Sequence, residues 1–340
     1  MTRDPVADLR AIARMLERGG GQSRRAKAFR QAADTLAGLS AGERSRIDAA
    51  RAWSSLPGVG TTTATAIGQS TRGRVPDYLA DLEAAAEPLA SAGPVRRALR
   101  GDLHLHTEWS DGCCPIEEMV LESVRLGHEY CAVTDHSPRL RVARGLSAER
   151  RAAQIDHLHA LDATLDGFTV LAGIEVDILD DGGLDADAAT LDRLDVVVAS
   201  VHSKLAMNAD AMTMRMVAAI ANPQVNILGH VTGRLIGGER GTRGQSAFDA
   251  AVVFEACRRF GVAVEINSRP ERQDPPDDLL ALAAETGCLF SVDTDAHAPG
   301  QLEFCALGAA RADAAGIAPD RVITTWPIAD LRAWLSRARG

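Results

Sequence analysis

Nine side chains of three kinds, spread between residues 104 and 297, offer imidazole nitrogens and carboxylate oxygens for gathering metal ions: His104, His106, Asp111, His136, Glu175, His202, His230, Asp295 and His297. Each sits at or just after the end of a short apolar run. A lone His or Asp usually caps a turn or satisfies a buried hydrogen bond. That reading fails for nine at once, because six of the nine histidines in the chain share this pattern. His128, His157 and His159 fall in helical or loop stretches and read as surface or structural residues. His104 and His106, two apart in an extended run, project to the same side and can share an ion. Imidazole and carboxylate without thiolate suit Zn, Mn or Fe(II), and the sequence does not choose between them. At about three or four protein ligands per ion, nine ligands fit two or three ions. Ions roughly 3.5 to 4 Å apart clamp the attacking and leaving oxygens of a phosphoryl transfer. The chemistry expected is therefore metal-dependent phosphoester hydrolysis, with metal-bridged hydroxide attacking phosphorus in line.

Seven extended runs must position these ligands: GDLHLH, EYCAVTDH, TVLAGIEVDIL, DVVVASVH, VNILGH, VAVEINS and LFSVDTDAH. They alternate with helical stretches, which predicts a parallel sheet, and seven βα units suffice to close a barrel. In such barrels the C-terminal strand edge carries the chemistry. Cationic side chains near that edge are candidates for contacting phosphate: Lys204, two residues past His202, together with Arg144 and Arg272.

The first hundred residues are a different module. They hold 16 Lys and Arg against 10 Asp and Glu, a net +6, whereas the remainder carries 21 against 36, a net -15 within a total of -9. Apolar spacing predicts two helices over residues 5–40, separated by a glycine break, and a third helical stretch from Ile47 to Trp53. Leu56-Pro57-Gly58-Val59-Gly60 follows, where two glycines flanking one apolar residue make a tight turn into a helix with open backbone N–H groups. This is the pattern of a helix-hairpin-helix, which grips nucleic-acid phosphate without reading bases. Gly58, Gly60, Arg24, Arg25 and Lys27 are the expected phosphate contacts, with Arg30, Arg72 and Arg74 nearby in sequence. Residues 84–100 read as a linker helix broken by Pro and Gly. The expected division is a helical domain over 1–95 and a barrel domain over 100–340.

Composition narrows the class further. An apolar content of 46% over 340 residues can fill a core. No stretch approaches the roughly 20 apolar residues of a membrane span, and the N-terminus lacks the apolar centre of a signal peptide, so a cytoplasmic protein is expected. The six cysteines form no Cys-x-x-Cys pair. Four sit singly in apolar stretches as small hydrophobes, while Cys113 and Cys114 adjoin Asp111 and read either as packing or as redox-sensitive thiols.

Asp102-Leu103-His104-Leu105-His106-Thr107 with Ser110-Asp111-Gly112, Thr134-Asp135-His136-Ser137, Gly173-Ile174-Glu175, Ser200-Val201-His202-Ser203, Gly229-His230 and Thr294-Asp295-Ala296-His297 resemble the successive motifs of the polymerase and histidinol phosphatase (PHP) superfamily. The resemblance spans roughly residues 100 to 335. It implies a distorted seven-stranded β/α barrel with a trinuclear metal centre. One ion would lie on His104, His106, Glu175 and Asp295, a second on Glu175, His202 and His230, and a third on Asp111, His136 and His297. Val142-Ala143-Arg144-Gly145-Leu146, Glu265-Ile266-Asn267-Ser268 with Arg272 and Asp274, and TDAHAPGQL are similar to the PHP domain of bacterial family X DNA polymerases. The N-terminal module, with AFRQAADTL and LPGVG, is similar to the small lyase-type domain of the same family.

The departures shape the expectation. Only a short linker joins the two modules, with no Asp-x-Asp site between them, so polymerase activity is not expected. Thr61 and Ala66 occupy positions where that small domain usually carries lysines, and Lys27 is the module's one lysine. A Schiff-base lyase needs an amine nucleophile, so phosphate binding is expected there without lyase chemistry. The activity expected is 3′-5′ exonuclease or 3′-end-processing phosphodiesterase action on DNA, bound without sequence preference. The alternatives are a small-molecule phosphomonoesterase such as histidinol-phosphate phosphatase, and a non-catalytic DNA-repair adaptor.

Overall fold

The computed structural model describes residues 3–19, 24–89, 93–238 and 241–337. Two compact units divide the chain, Met1–Pro88 and Leu89–Gly340.

The first unit is helical: α1 (Pro5–Arg18), α2 (Arg24–Ala37), α3 (Ala41–Ala49), α4 (Thr61–Thr71) and α5 (Asp77–Ala85). Asp4 caps α1 by accepting from the Val6 amide, with Pro5 at its first position. Leu9, Ile12, Phe29, Leu36, Trp53 and Ile67 form its core. The structure corrects the helix expected from Ile47 to Trp53. Arg51 takes a left-handed φ of 51° and ends the run, and Trp53 opens a single 3₁₀ turn, Trp53–Ser55. Gly58 turns the chain with φ 75°, and a Cβ there would lie 2.8 Å from Gln31. Gly60 then opens α4 without a side-chain cap.

The second unit begins with α6 (Pro94–Ala98) and continues β1 (Gly101–Leu105), α7 (Ile116–Arg125), β2 (Tyr130–Val133), α8 (Ala148–Asp162), β3 (Thr169–Asp177), α9 (Ala188–Leu191), β4 (Val196–Ser200), α10 (Ala209–Ile220), β5 (Ile227–Leu228), α11 (Ala250–Phe260), β6 (Ala263–Asn267), α12 (Asp277–Thr286), β7 (Phe290–Asp293), α13 (Cys305–Ala314) and α14 (Ile328–Arg337). The strands form one seven-stranded sheet in sequence order, every neighbouring pair parallel. Beyond the last strand the sheet closes on itself. The Leu103 amide donates to the Asp293 carboxylate at 2.8 Å and the His106 amide to the Ala296 carbonyl at 2.8 Å, with Leu105 paired in parallel to Ala296. One seam of this seven-stranded α/β barrel is thus held partly by a side chain in place of a ladder bond.

Period-two alternation sorts the strand residues between two cores. Leu103, Ala132, Leu171, Val198, Ile227 and Ala263 form an inner apolar plug, floored by Ile323 and by Leu331 and Leu335 of α14. Their neighbours Cys131, Val133, Val170, Val197, Leu228 and Val264 face outward onto the helices. The inward series then continues upward past the plug, from Leu171 to Glu175 and from Ala263 to Glu265. Polar ligands therefore crown an apolar floor.

Candidate metal centre

Glu175 stands at the centre of the barrel mouth, 1% exposed. Its Oε1 lies 2.8 Å from His230 Nε2 and 3.1 Å from His202 Nε2. Its Oε2 lies 3.0 Å from His136 Nδ1, 3.3 Å from His104 Nε2 and 3.4 Å from His106 Nε2. One carboxylate thus touches five histidines from four different strand ends, β1, β2, β4 and β5. Asp295 completes this side, its Oδ1 3.3 Å from His106 Nε2. Its backbone takes a left-handed φ of 51°, a strained conformation for a non-glycine residue. On the outer side Asp111 lies 3.4 Å from both His136 Nε2 and His297 Nε2. The nine ligands read from the sequence therefore converge on one site. Seven of them form three overlapping groups, His104 with His106 and Glu175, His136 with Glu175 and His202, and His106 with Asp111, His136 and His297, while His230 adjoins through Glu175 and Asp295 through His106.

The donor set fits divalent ions. His104 Nε2, both ring nitrogens of His106, His136 Nδ1 and His230 Nδ1 are buried without a hydrogen-bond partner. Orphaned buried nitrogens are costly unless something else takes their lone pairs. Burial alone would raise the pKa of Glu175, but His202, His104 and His136 outweigh it and hold the carboxyl well below its ordinary range. Burial likewise works against ionised Asp295, and His106, Arg272 and Arg269 reverse it. Burial, with His297 and His136, pushes His106 down to about 4, leaving it a neutral ligand.

A second layer of carboxylates, which sequence reasoning gave no role, orients these imidazoles. His104 Nδ1 lies 2.5 Å from Glu265, whose other oxygen accepts from the His230 amide. His202 Nδ1 lies 2.5 Å from Asp177. Each bond fixes a tautomer and leaves Nε2 facing the centre. Glu265 had two sequence signals, a lone charge inside the apolar strand VAVEINS and its place in the Glu265-Ile266-Asn267-Ser268 resemblance. Asp135 accepts from the Thr107 amide and hydroxyl, from Ser110 and from Gln154, and so shapes the loop that carries Asp111.

The three sequence-predicted phosphate cations have different surroundings. Arg272 is 5% exposed and donates from Nε to Asp295 at 3.0 Å, while its Nη1 is buried without a partner. Lys204 is ion-paired to Asp180 with its side chain 63% exposed. Arg144 is exposed in the loop after His136, with φ 57°. In the helical unit Arg24, Arg25 and Lys27 are exposed on α2. Arg30, counted with them from the sequence, is instead buried against Glu17 through two bonds of 2.6 Å. Five cysteines are buried and Cys113 is half-buried, and all six are free thiols.

A parallel barrel whose mouth gathers buried imidazoles around shared carboxylates defines a metal-dependent hydrolase of phosphoester bonds that uses divalent ions. Residues 102–269 match the PHP domain, and the chain carries that domain. The chain is 37% identical over 239 residues to the DNA polymerase/3′-5′ exonuclease PolX of Bacillus subtilis, a match covering 70% of this chain and 41% of that protein. It is 29% identical over 217 residues to a probable phosphatase of Serratia proteamaculans, covering 60% of this chain and 82% of that one. Among solved structures, histidinol phosphate phosphatase from Lactococcus lactis, complexed with zinc, L-histidinol and phosphate, aligns with a TM-score of 0.45 at 19% identity, over 64% of this chain and 94% of that chain. Among the described residues, no helix is long and apolar enough to cross a membrane.

Proposed function

We propose that the protein is a phosphodiesterase acting on DNA 3′ ends, most simply as a 3′-5′ exonuclease, with two or three Mn, Zn or Fe ions. The carrying observation is the cluster in which Glu175, His106 and His136 are each shared between ligand groups, a geometry suited to adjacent ions. When bound, such ions lower the pKa of water towards neutrality and neutralise phosphoryl oxygens. His104, His106, Glu175 and Asp295 would hold one, Glu175, His202 and His230 another, and Asp111, His136 and His297 a third. Glu265 and Asp177 keep His104 and His202 oriented as ligands. Arg272 Nη1, Lys204 and Arg144 are the groups for the substrate phosphate.

The DNA reading is supported by the similarity to the Bacillus polymerase and exonuclease. It is also supported by the helical unit, read as a helix-hairpin-helix in which Gly58, Gly60, Arg24, Arg25 and Lys27 meet phosphate without reading bases. The likeness to probable phosphatases favours a second reading, hydrolysis of small phosphomonoesters. Turnover of end-labelled DNA and of histidinol phosphate, each with Mn(II) and with chelator, separates the two. Metal-dependent loss of 3′ nucleotides is expected. Phosphate release from the small ester with DNA left intact would overturn the proposal.

A further inference from the structure

Building on that DNA reading, we infer that the loop Pro138–Gly145, at the rim of the metal centre, is a docking surface for the backbone of a single nucleic-acid strand and selects polymeric over small phosphoesters. Its sequence is Pro138-Arg139-Leu140-Arg141-Val142-Ala143-Arg144-Gly145, three arginines and no acid. It springs directly from His136 and Ser137 and returns where the Leu146 amide donates to the His136 carbonyl at 2.9 Å. The three arginines thus stand on the loop that directly follows one ligand of the cluster.

The loop is braced through its backbone. The Arg139 amide donates to Asp185 at 2.6 Å, the Gly145 amide to the Leu140 carbonyl at 3.1 Å, and Arg150 Nη1 to the Arg144 carbonyl at 3.1 Å. Arg150 also donates to the Trp109 carbonyl, locking this loop to the one that carries Asp111. Gly145 is pressed so closely on Ser137 that a Cβ would lie 1.9 Å from its carbonyl oxygen. The side chains are the opposite case. Arg139, Arg141 and Arg144 are all exposed, and among the described residues their guanidiniums donate no hydrogen bond. Two carboxylates lie near Arg139: Asp180, already paired with Lys204, and Asp185, which accepts from the Arg139 amide. Val142 at the tip is 91% exposed and presents an apolar surface for a sugar or base.

Three unpaired cations on a rigid loop, in a stretch of chain whose net charge is -15, make a local reversal of sign beside the centre. A phosphodiester strand running into the centre carries the complementary charge, one per nucleotide, beyond the phosphate being cleaved. A small monoester has no second phosphate to reach Arg139 and Arg141, beyond the one that Arg144 meets at the centre.

The test uses the full-length, Mn-loaded protein and its Arg139→Ala/Arg141→Ala variant, with an oligothymidylate and bis(p-nitrophenyl) phosphate as substrates across a salt series. Removing two phosphate contacts should lower the slope of log affinity against log salt by about 1.4 and weaken oligonucleotide KM about tenfold at low salt. Turnover of the small diester should stay within about twofold, because its one phosphate lies at the ions. The Arg139→Lys/Arg141→Lys variant should restore the slope. Oligonucleotide KM and slope equal to wild type would overturn the loop's role, and so would a parallel fall on both substrates. A wild-type protein that leaves the oligonucleotide intact while hydrolysing small esters would instead overturn the DNA reading itself.

Discussion

Replacing Glu265 by glutamine changes one buried atom pair and tests the way the metal centre is oriented. Glu265 is fully buried and accepts on both oxygens, from His104 Nδ1 at 2.5 Å on one and from the His230 amide and Asn267 Nδ2 on the other. Glutamine has the same shape but one oxygen and one NH2. Whichever way it turns, one donor meets another donor and loses its bond. Losing a carboxylate partner behind a metal-ligating histidine typically weakens metal binding about 10- to 100-fold. That corresponds to about 1.4 to 2.8 kcal/mol. Competition with a chromophoric chelator measures the affinity directly, and turnover at saturating Mn(II) measures what survives once the ions are restored. The expected pattern is weaker metal binding with much of the turnover recovered in excess metal. Wild-type affinity in Glu265→Gln would refute the reasoning, as would lost turnover that excess metal leaves lost while affinity is intact.

Asp177→Asn should act in the same direction through His202, and the same chelator competition would reveal it. His106→Ala removes a ligand shared by two groups and should abolish metal-dependent phosphoester hydrolysis, a claim that fails if the variant matches wild type. Leu171→Ala opens the apolar plug beneath Glu175 and should cost about 2 to 5 kcal/mol by denaturant unfolding. Burial and then Arg96 push His128 down to about 4, so the unfolded chain binds the proton more readily between about pH 6.5 and pH 4. Stability from this group is full above pH 6.5 and falls with pH, by about 2 kcal/mol between pH 7 and pH 5. His128→Gln should remove that share of the pH dependence, and unfolding curves that fall equally in both proteins would contradict it. Deleting residues 1–88 should weaken DNA binding and flatten its salt dependence, whereas untouched binding would give the helical unit another purpose.

Strand placement was legible because period two is local: each of the seven apolar runs contains a strand, and the inward series from Leu171 to Glu175 can be counted along the chain. The meeting of the nine candidate ligands at one barrel mouth was legible for the same reason, since side chains at the ends of successive parallel strands share one edge of the sheet. The failures came where local pattern was indifferent. Nothing near Arg51 marks the left-handed turn that ended the helix before Trp53.

Sequence by itself thus determined which residue types stand at the strand ends, and with them the barrel and its metal chemistry. Only the tertiary structure decided who meets whom. Glu175 reaches five histidines, Glu265 spans from β6 to His104 and His230, and Arg272 is drawn onto Asp295. Arg30, one cation among many in the sequence, is turned inward to Glu17. These partnerships join residues as far apart as 161 positions, as in His104 and Glu265, and are set by how the sheet closes. Closure is a property of all seven strands together, so no window of sequence carries it.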